Sequence, residues 1–144
     1  MAQAAKVLMF LLDTNIVSEL RKPKPHVGVL VWMNALRPDE INIPAAVIGE
    51  VSAGIENSRS SDPRRAAELD AWLDALERDF PVLPANGAIF RIWGKLMDRR
   101  QKHLFADALI AATAIHHGLT VATRNVEDFT SFGVLVANPF GRVR

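Results

Sequence analysis

The run Val7-Leu8-Met9-Phe10-Leu11-Leu12 ends in a single acid, Asp13, and is followed by Thr14, Asn15 and a helical pattern of apolar residues. Six apolar residues bounded in this way predict a strand buried on both faces, although a short helix shares the pattern. Asp13 then stands at the carboxyl end of a central strand, which in open α/β sheets is where ligands bind. An ionised side chain there needs a reason, and the expectation is that Asp13 is a metal ligand. The ordinary alternative is a helix N-cap, a job that Thr14 or Asn15 could also do.

The chain has 144 residues, 49% of them hydrophobic, enough for one domain with a proper core and too few for two ordinary ones. One domain over residues 7–144 is expected, with residues 1–6 as a disordered lead-in. Cysteine is absent, which removes disulfides, thiolate nucleophiles and Cys-based zinc sites and fits a reducing cytoplasm. No apolar run reaches the length of a membrane span or of a signal-peptide core, so a cytoplasmic protein without membrane contact is expected. The formal net charge is +1, so any site for a polyanion must be local.

Helical spacing and its punctuation set out the rest. A short helix through Ile16, Val17 and Leu20 is expected to stop at Pro23 and Pro25. Residues 25–36 follow as a helix with two apolar stripes, Val29, Trp32, Met33 and Leu36 on one, Val27, Leu30 and Val31 on the other. The second stripe points to a subunit or partner surface. A strand at 41–43 precedes a helix from Pro44 to about residue 56, broken by the polar tract 57–61. Asp62-Pro63 opens a helix to about residue 79, Val82-Leu83 is a brief strand, and Asn86 caps a helix ending in Arg99, Arg100 and Lys102. A helix over 105–117 stops at Gly118, and strands at 119–122 and 134–136 enclose a helical turn at 126–129. Alternating strands and helices predict βαβ units and a parallel sheet covered on both sides.

Four further positions, three acids and one amide, stand where solvated surface charge is not expected. Glu50 lies beside the apolar stripe Val47, Ile48, Val51 and Ile55, among the small neighbours Ala46, Ala53 and Gly54, so a ligand could reach its carboxylate; the bland reading is a glutamate that snorkels to water. Asp107 opens a helix otherwise apolar for two turns, where an ionised carboxylate must be paired, protonated, on a metal, or stabilised by the helix dipole. Asn125 and Asp128 follow a late strand, either as caps or as members of the same site. Converging carboxylates repel unless a cation neutralises them, and an all-oxygen donor set selects Mg²⁺ or Mn²⁺ over zinc. Such a site suits attack of water on a phosphodiester, with Arg99, Arg100, Lys102 and Arg124 as a basic substrate rim. His26, His103, His116 and His117 show no ligand spacing and read as ordinary surface or loop residues.

The segments Leu11-Leu12-Asp13-Thr14-Asn15-Ile16-Val17-Ser18-Glu19-Leu20, Ile48-Gly49-Glu50-Val51, Ala106-Asp107-Ala108-Leu109-Ile110-Ala111-Ala112-Thr113-Ala114 and Val121-Ala122-Thr123-Arg124-Asn125, in this order, resemble the PIN-domain nucleases, in particular the VapC and FitB-like toxins of toxin–antitoxin modules. The resemblance implies an α/β/α sandwich with a central parallel five-stranded sheet, an acidic Mg²⁺-dependent site and RNA as substrate, with transfer RNA a candidate. It places Asp13, Glu50 and Asp107 as the acids, Asp128 as the fourth, and Asn125 as a neutral ligand or water-positioning group. Thr14, Asn15 and Thr123 are implied as supporting donors. A cognate antitoxin and a homodimer are implied as partners. Residues 100–105 lack the glycine found in many relatives before the third acid, which bears on substrate preference.

The alternative function is a PIN-fold module that binds RNA or a partner without cutting. A nucleotide-binding role has no glycine-rich phosphate motif to support it, and Asn15 stands where an aspartic protease needs glycine and an aspartyl phosphotransferase a second Asp.

Overall fold

The computed structural model describes residues 9–142. The expected disordered lead-in, the first two residues of the opening apolar run and the last two residues of the chain lie outside that range.

Five parallel strands form one sheet in the order β3-β2-β1-β4-β5, with β1 (Phe10–Leu12) at its centre. It pairs with β2 (Ile41–Pro44) on one side and β4 (Thr120–Ala122) on the other; β3 (Val82–Leu83) and β5 (Val136–Ala137) are the edges. Leu11, Leu12, Ile43 and Val121 are fully enclosed, as strands covered on both faces require. Among the described residues seven α-helices flank the sheet, so the expected α/β/α architecture is the one observed.

The helices are α1 (Thr14–Leu20), α2 (Val27–Asn34), α3 (Ala45–Arg59), α4 (Pro63–Asp79), α5 (Gly87–Leu96), α6 (Phe105–His117) and α7 (Val126–Ser131). Helix α3 runs three residues beyond its expected end, through the polar tract. Arg59 pairs with Glu56 of its own helix at 2.6 Å and with Asp70 of α4 at 2.8 Å, which holds the last turn against its neighbour. Helix α2 begins at Val27 rather than at Pro25, because His26 Nδ1 accepts from the Gly28 amide at 3.0 Å and caps it. That histidine therefore has a structural task the sequence did not reveal. Its backbone N–H in turn donates to the buried Glu19 carboxylate at 2.7 Å. Of the two stripes on α2, Val29 and Trp32 enter the core while Val27 and Val31 stay 61% and 63% exposed, so the second stripe is free for a partner.

Asp13 itself, not Thr14 or Asn15, occupies the N-cap position of α1. The ladder carries it there: the Asp13 amide donates to the Ala122 carbonyl at 3.0 Å, and the Thr123 amide to Ala137 at 2.9 Å. The first residues beyond β1 and β4 thus leave the sheet side by side, on either side of the point where strand order reverses.

Helix α6 ends in a left-handed Gly118 (φ 68°), after which the Leu119 amide reaches back to Ala114 at 2.9 Å and turns the chain into β4. A Cβ at Gly118 would meet nothing within 4 Å. Gly118→Ala is therefore expected to cost only the backbone penalty, about 1 kcal/mol, read as a lower urea midpoint with unchanged slope.

Candidate acidic site

Asp13 is 3% exposed, and its carboxylate is held by three donors. The Thr14 amide reaches Oδ1 at 2.7 Å; Thr123 Oγ1 and Asn15 Nδ2 reach Oδ2 at 2.7 and 3.2 Å. Thr123 Oγ1 is itself fixed by the Asn125 amide at 2.9 Å, and Asn15 Oδ1 by the Arg124 amide at 3.2 Å. Thr14, Asn15 and Thr123 thus all support the first acid, and they lock the loop after β4 to the start of α1. Burial pushes the Asp13 carboxyl up, partly offset by these hydrogen bonds, Thr123 first.

Glu50 comes from α3, and Thr14 Oγ1 donates to its Oε1 at 3.0 Å. One threonine therefore orients two acids, Asp13 through its amide and Glu50 through its hydroxyl. Desolvation raises the Glu50 carboxyl, and the negative charge of Asp13 adds to the rise.

Asp107 stands in the first turn of α6, half-buried, and among the described residues no hydrogen-bond donor meets its carboxylate. Its pKa is raised to about 6, first by burial and then by the charges of Asp13, Asp128 and Glu50, with His103 acting in the opposite direction. The other three acids predicted from the sequence thus all act on Asp107. Asp128 lies in the first turn of α7 and is exposed; Asn125 is the N-cap residue of that helix and makes no side-chain cap bond.

Among the described residues, no Lys, Arg or His forms an ion pair with any of these four acids. Nor is any group of three or more His, Asp or Glu side chains gathered to hold a metal ion as it stands. Like charges without a cation between them are expected to stand apart. The donor type fits a hard divalent cation: carboxylate oxygens, an amide oxygen in Asn125, no thiol and no imidazole among the acids. A cleft of about 330 Å³ opens beside Thr14 and Glu50, and a second of about 440 Å³ beside Asn125 and Asp128.

The basic residues predicted as a rim divide. Arg99, Lys102 and Arg124 are exposed, with the Arg124 guanidinium stacked 3.7 Å above the Phe140 ring. Arg100 is instead engaged by Ser131 and Phe132. Two contributors escaped the sequence reading. His103 is close enough to act on Asp107, and Glu19, buried, ties α1 to Lys22 and the start of α2. Glu19 carried one visible signal, an acid three residues after Ile16 on the buried stripe of α1.

Comparison with known proteins agrees with this architecture. The family model described as PIN domain matches residues 10–134. The toxin FitB of Neisseria gonorrhoeae is 29% identical over 142 residues, covering 92% of this chain and 99% of that protein. The VapC ribonuclease Y4jK of Sinorhizobium fredii is 31% identical over 137 residues, covering 92% and 98%. The crystal structure of FitAcB from Neisseria gonorrhoeae superposes with a TM-score of 0.82 at 30% identity, over 92% of this chain and 99% of that one.

A carboxyl whose pKa is raised by folding binds more protons in the native than in the unfolded state between its usual value near 3.8 and about 6, so its ionisation above that window costs stability. Asp107→Asn is accordingly expected to raise the melting temperature of the metal-free protein at pH 7.5 by roughly 3 °C. That shift corresponds to about 1 kcal/mol after allowance for solvent screening. Well below pH 3.8, where the wild-type carboxyl is protonated in both states, the gain is expected to vanish.

Proposed function

Because the chain belongs to the PIN domain family, we propose that its single domain is a divalent-metal-dependent endoribonuclease acting as the toxin of a toxin–antitoxin pair. The observation that carries the reading is that Asp13, Glu50 and Asp128 all act on Asp107 at the carboxyl edge of the sheet, with no ion-pair partner for any of the four among the described residues. Relatives named as a VapC ribonuclease and a toxin support RNA as substrate, and a structural neighbour described as a toxin–antitoxin complex from Klebsiella pneumoniae, 26% identical, supports an antitoxin as partner. The exposed stripe Val27, Leu30 and Val31 of α2 supports contact with a protein, either the antitoxin or a second copy in a homodimer. No helix among the described residues is long and apolar enough to cross a membrane, which is compatible with action on cytoplasmic RNA.

Asp13, Glu50, Asp107 and Asp128 would hold Mg²⁺ or Mn²⁺, with Asn125 as a neutral oxygen ligand. Bound there, the cation would offset the carboxylate repulsion, acidify a water and stabilise charge on the leaving oxygen. The chain's own residues do the positioning. Thr123 and Asn15 fix Asp13, and Thr14 fixes Glu50 relative to it. Arg99, Lys102 and Arg124 supply positive charge along which an RNA backbone can lie. Asp107, with its raised pKa, exchanges a proton near neutrality when no cation is present.

Asp13→Asn is expected to lower cleavage of a defined RNA by a factor on the order of 10³, as for other groups that stabilise transition-state charge, while RNA binding persists. Chelation should abolish wild-type cleavage and added Mn²⁺ should restore it. Equal cleavage by wild type and Asp13→Asn would overturn the assignment. Binding without any metal-dependent cleavage would favour a non-catalytic RNA- or partner-binding module.

A further inference from the structure

The third and fourth acids arrive on separate elements, Asp107 on α6 and Asp128 on α7, and one arginine joins the segments that deliver them. Arg100 lies in the turn after α5. Its Nη1 donates to Ser131 Oγ at 2.9 Å and its Nη2 to the Ser131 carbonyl at 2.9 Å, while the guanidinium sits 4.7 Å from the centre of the Phe132 ring. Ser131 Oγ in turn donates to the backbone carbonyl of Asp128 at 2.6 Å. The hydroxyl accepts from one group and donates to the other, so the three residues form a directed chain in which each bond orients the next.

The other end of this chain is anchored as well. The Arg100 amide donates to the Met97 carbonyl at 2.9 Å, and Arg99 before it is held at φ 61°, a conformation that a non-glycine keeps only where its surroundings enforce it. From Arg100 the backbone passes through the 3₁₀ turn Lys102–Leu104 directly into α6, whose first turn carries Asp107. The fork of the guanidinium that would grip a phosphate is the part occupied by Ser131.

We propose that Arg100 is a positioning residue: through Ser131 it sets α7, and with it Asp128, in register with the segment that carries Asp107, and it is not an RNA contact. The proposal deepens the ribonuclease reading and rests on it for its catalytic consequence. The basic rim is then Arg99, Lys102 and Arg124.

The kinetic test compares RNA cleavage by wild type, R100A, R100K, S131A and the double variant R100A/S131A. For R100A a roughly tenfold fall in kcat is expected with KM and its salt dependence unchanged, the pattern of a displaced group rather than a lost substrate contact. S131A keeps the bond to the Ser131 carbonyl and should lose about threefold, R100K should recover part of the R100A loss, and the double variant should be no worse than R100A. A raised KM with a shallower salt dependence and normal kcat would make Arg100 a phosphate contact and overturn the proposal. Multiplying losses in the double variant would break the chain through Ser131. Amide hydrogen exchange without RNA reads the tether separately. R100A, or R100K and S131A if R100A fails to fold, should speed exchange in α7 and at residues 101–104 while α3 keeps wild-type rates. Unchanged exchange in α7 overturns the tether whatever the activity. A wild-type protein that cuts no RNA would end the ribonuclease reading, and the exchange data would still decide the tether.

Discussion

Burying Asp13 at the tip of the central strand imposes a demand that several other parts of the chain exist to meet. A carboxylate that is almost wholly enclosed needs donors in place, and the donors come from both sides of the strand-order reversal: Thr14 and Asn15 after β1, Thr123 after β4. Two of them are held by a further bond, Thr123 by the Asn125 amide and Asn15 by the Arg124 amide. The parallel pairing of β1 with β4 makes this possible, because it brings Asp13 and Thr123 out of the sheet as neighbours. A shift of one residue in that register would exchange the inward and outward faces of the strand and separate the two side chains.

The local features of this design were legible in the sequence. An apolar run closed by one acid marks the central strand and the position of Asp13, and within the described residues the enclosed part of that run is Phe10, Leu11 and Leu12, with Met9 exposed. The apolar helix behind Asp107 likewise made its carboxylate conspicuous. Glu50 was harder, because its significance lies in Thr14, thirty-six positions earlier, which donates to it. What escaped the reading depends on contacts between distant segments. The extra turn of α3 rests on Arg59 meeting Asp70 of the following helix, and the role of Arg100 rests on Ser131, thirty-one residues further on. In the sequence Arg100 is one of three basic residues in a cluster, and composition alone makes them equivalent. Hydrogen-bond geometry separates them. His26 escaped for a different reason: imidazole is an uncommon cap, and proline at position 25 offered a more ordinary start for the same helix.

Among the described residues the acids have no ion-pair partner, and this deficit decides what the site can bind. Salt bridges occur elsewhere in the chain, at Arg37, Arg59 and Arg65, yet among the described residues none reaches the acidic edge. An internal arginine there would lower the carboxyl pKa values and stabilise the fold, and it would also fill the place a cation needs. Leaving the acids to raise one another keeps the site receptive to positive charge from outside. In the proposed function that charge is a divalent ion held by Asp13, Glu50, Asp107 and Asp128. Whatever binds there also stabilises the fold, because it relieves a repulsion the free chain must carry.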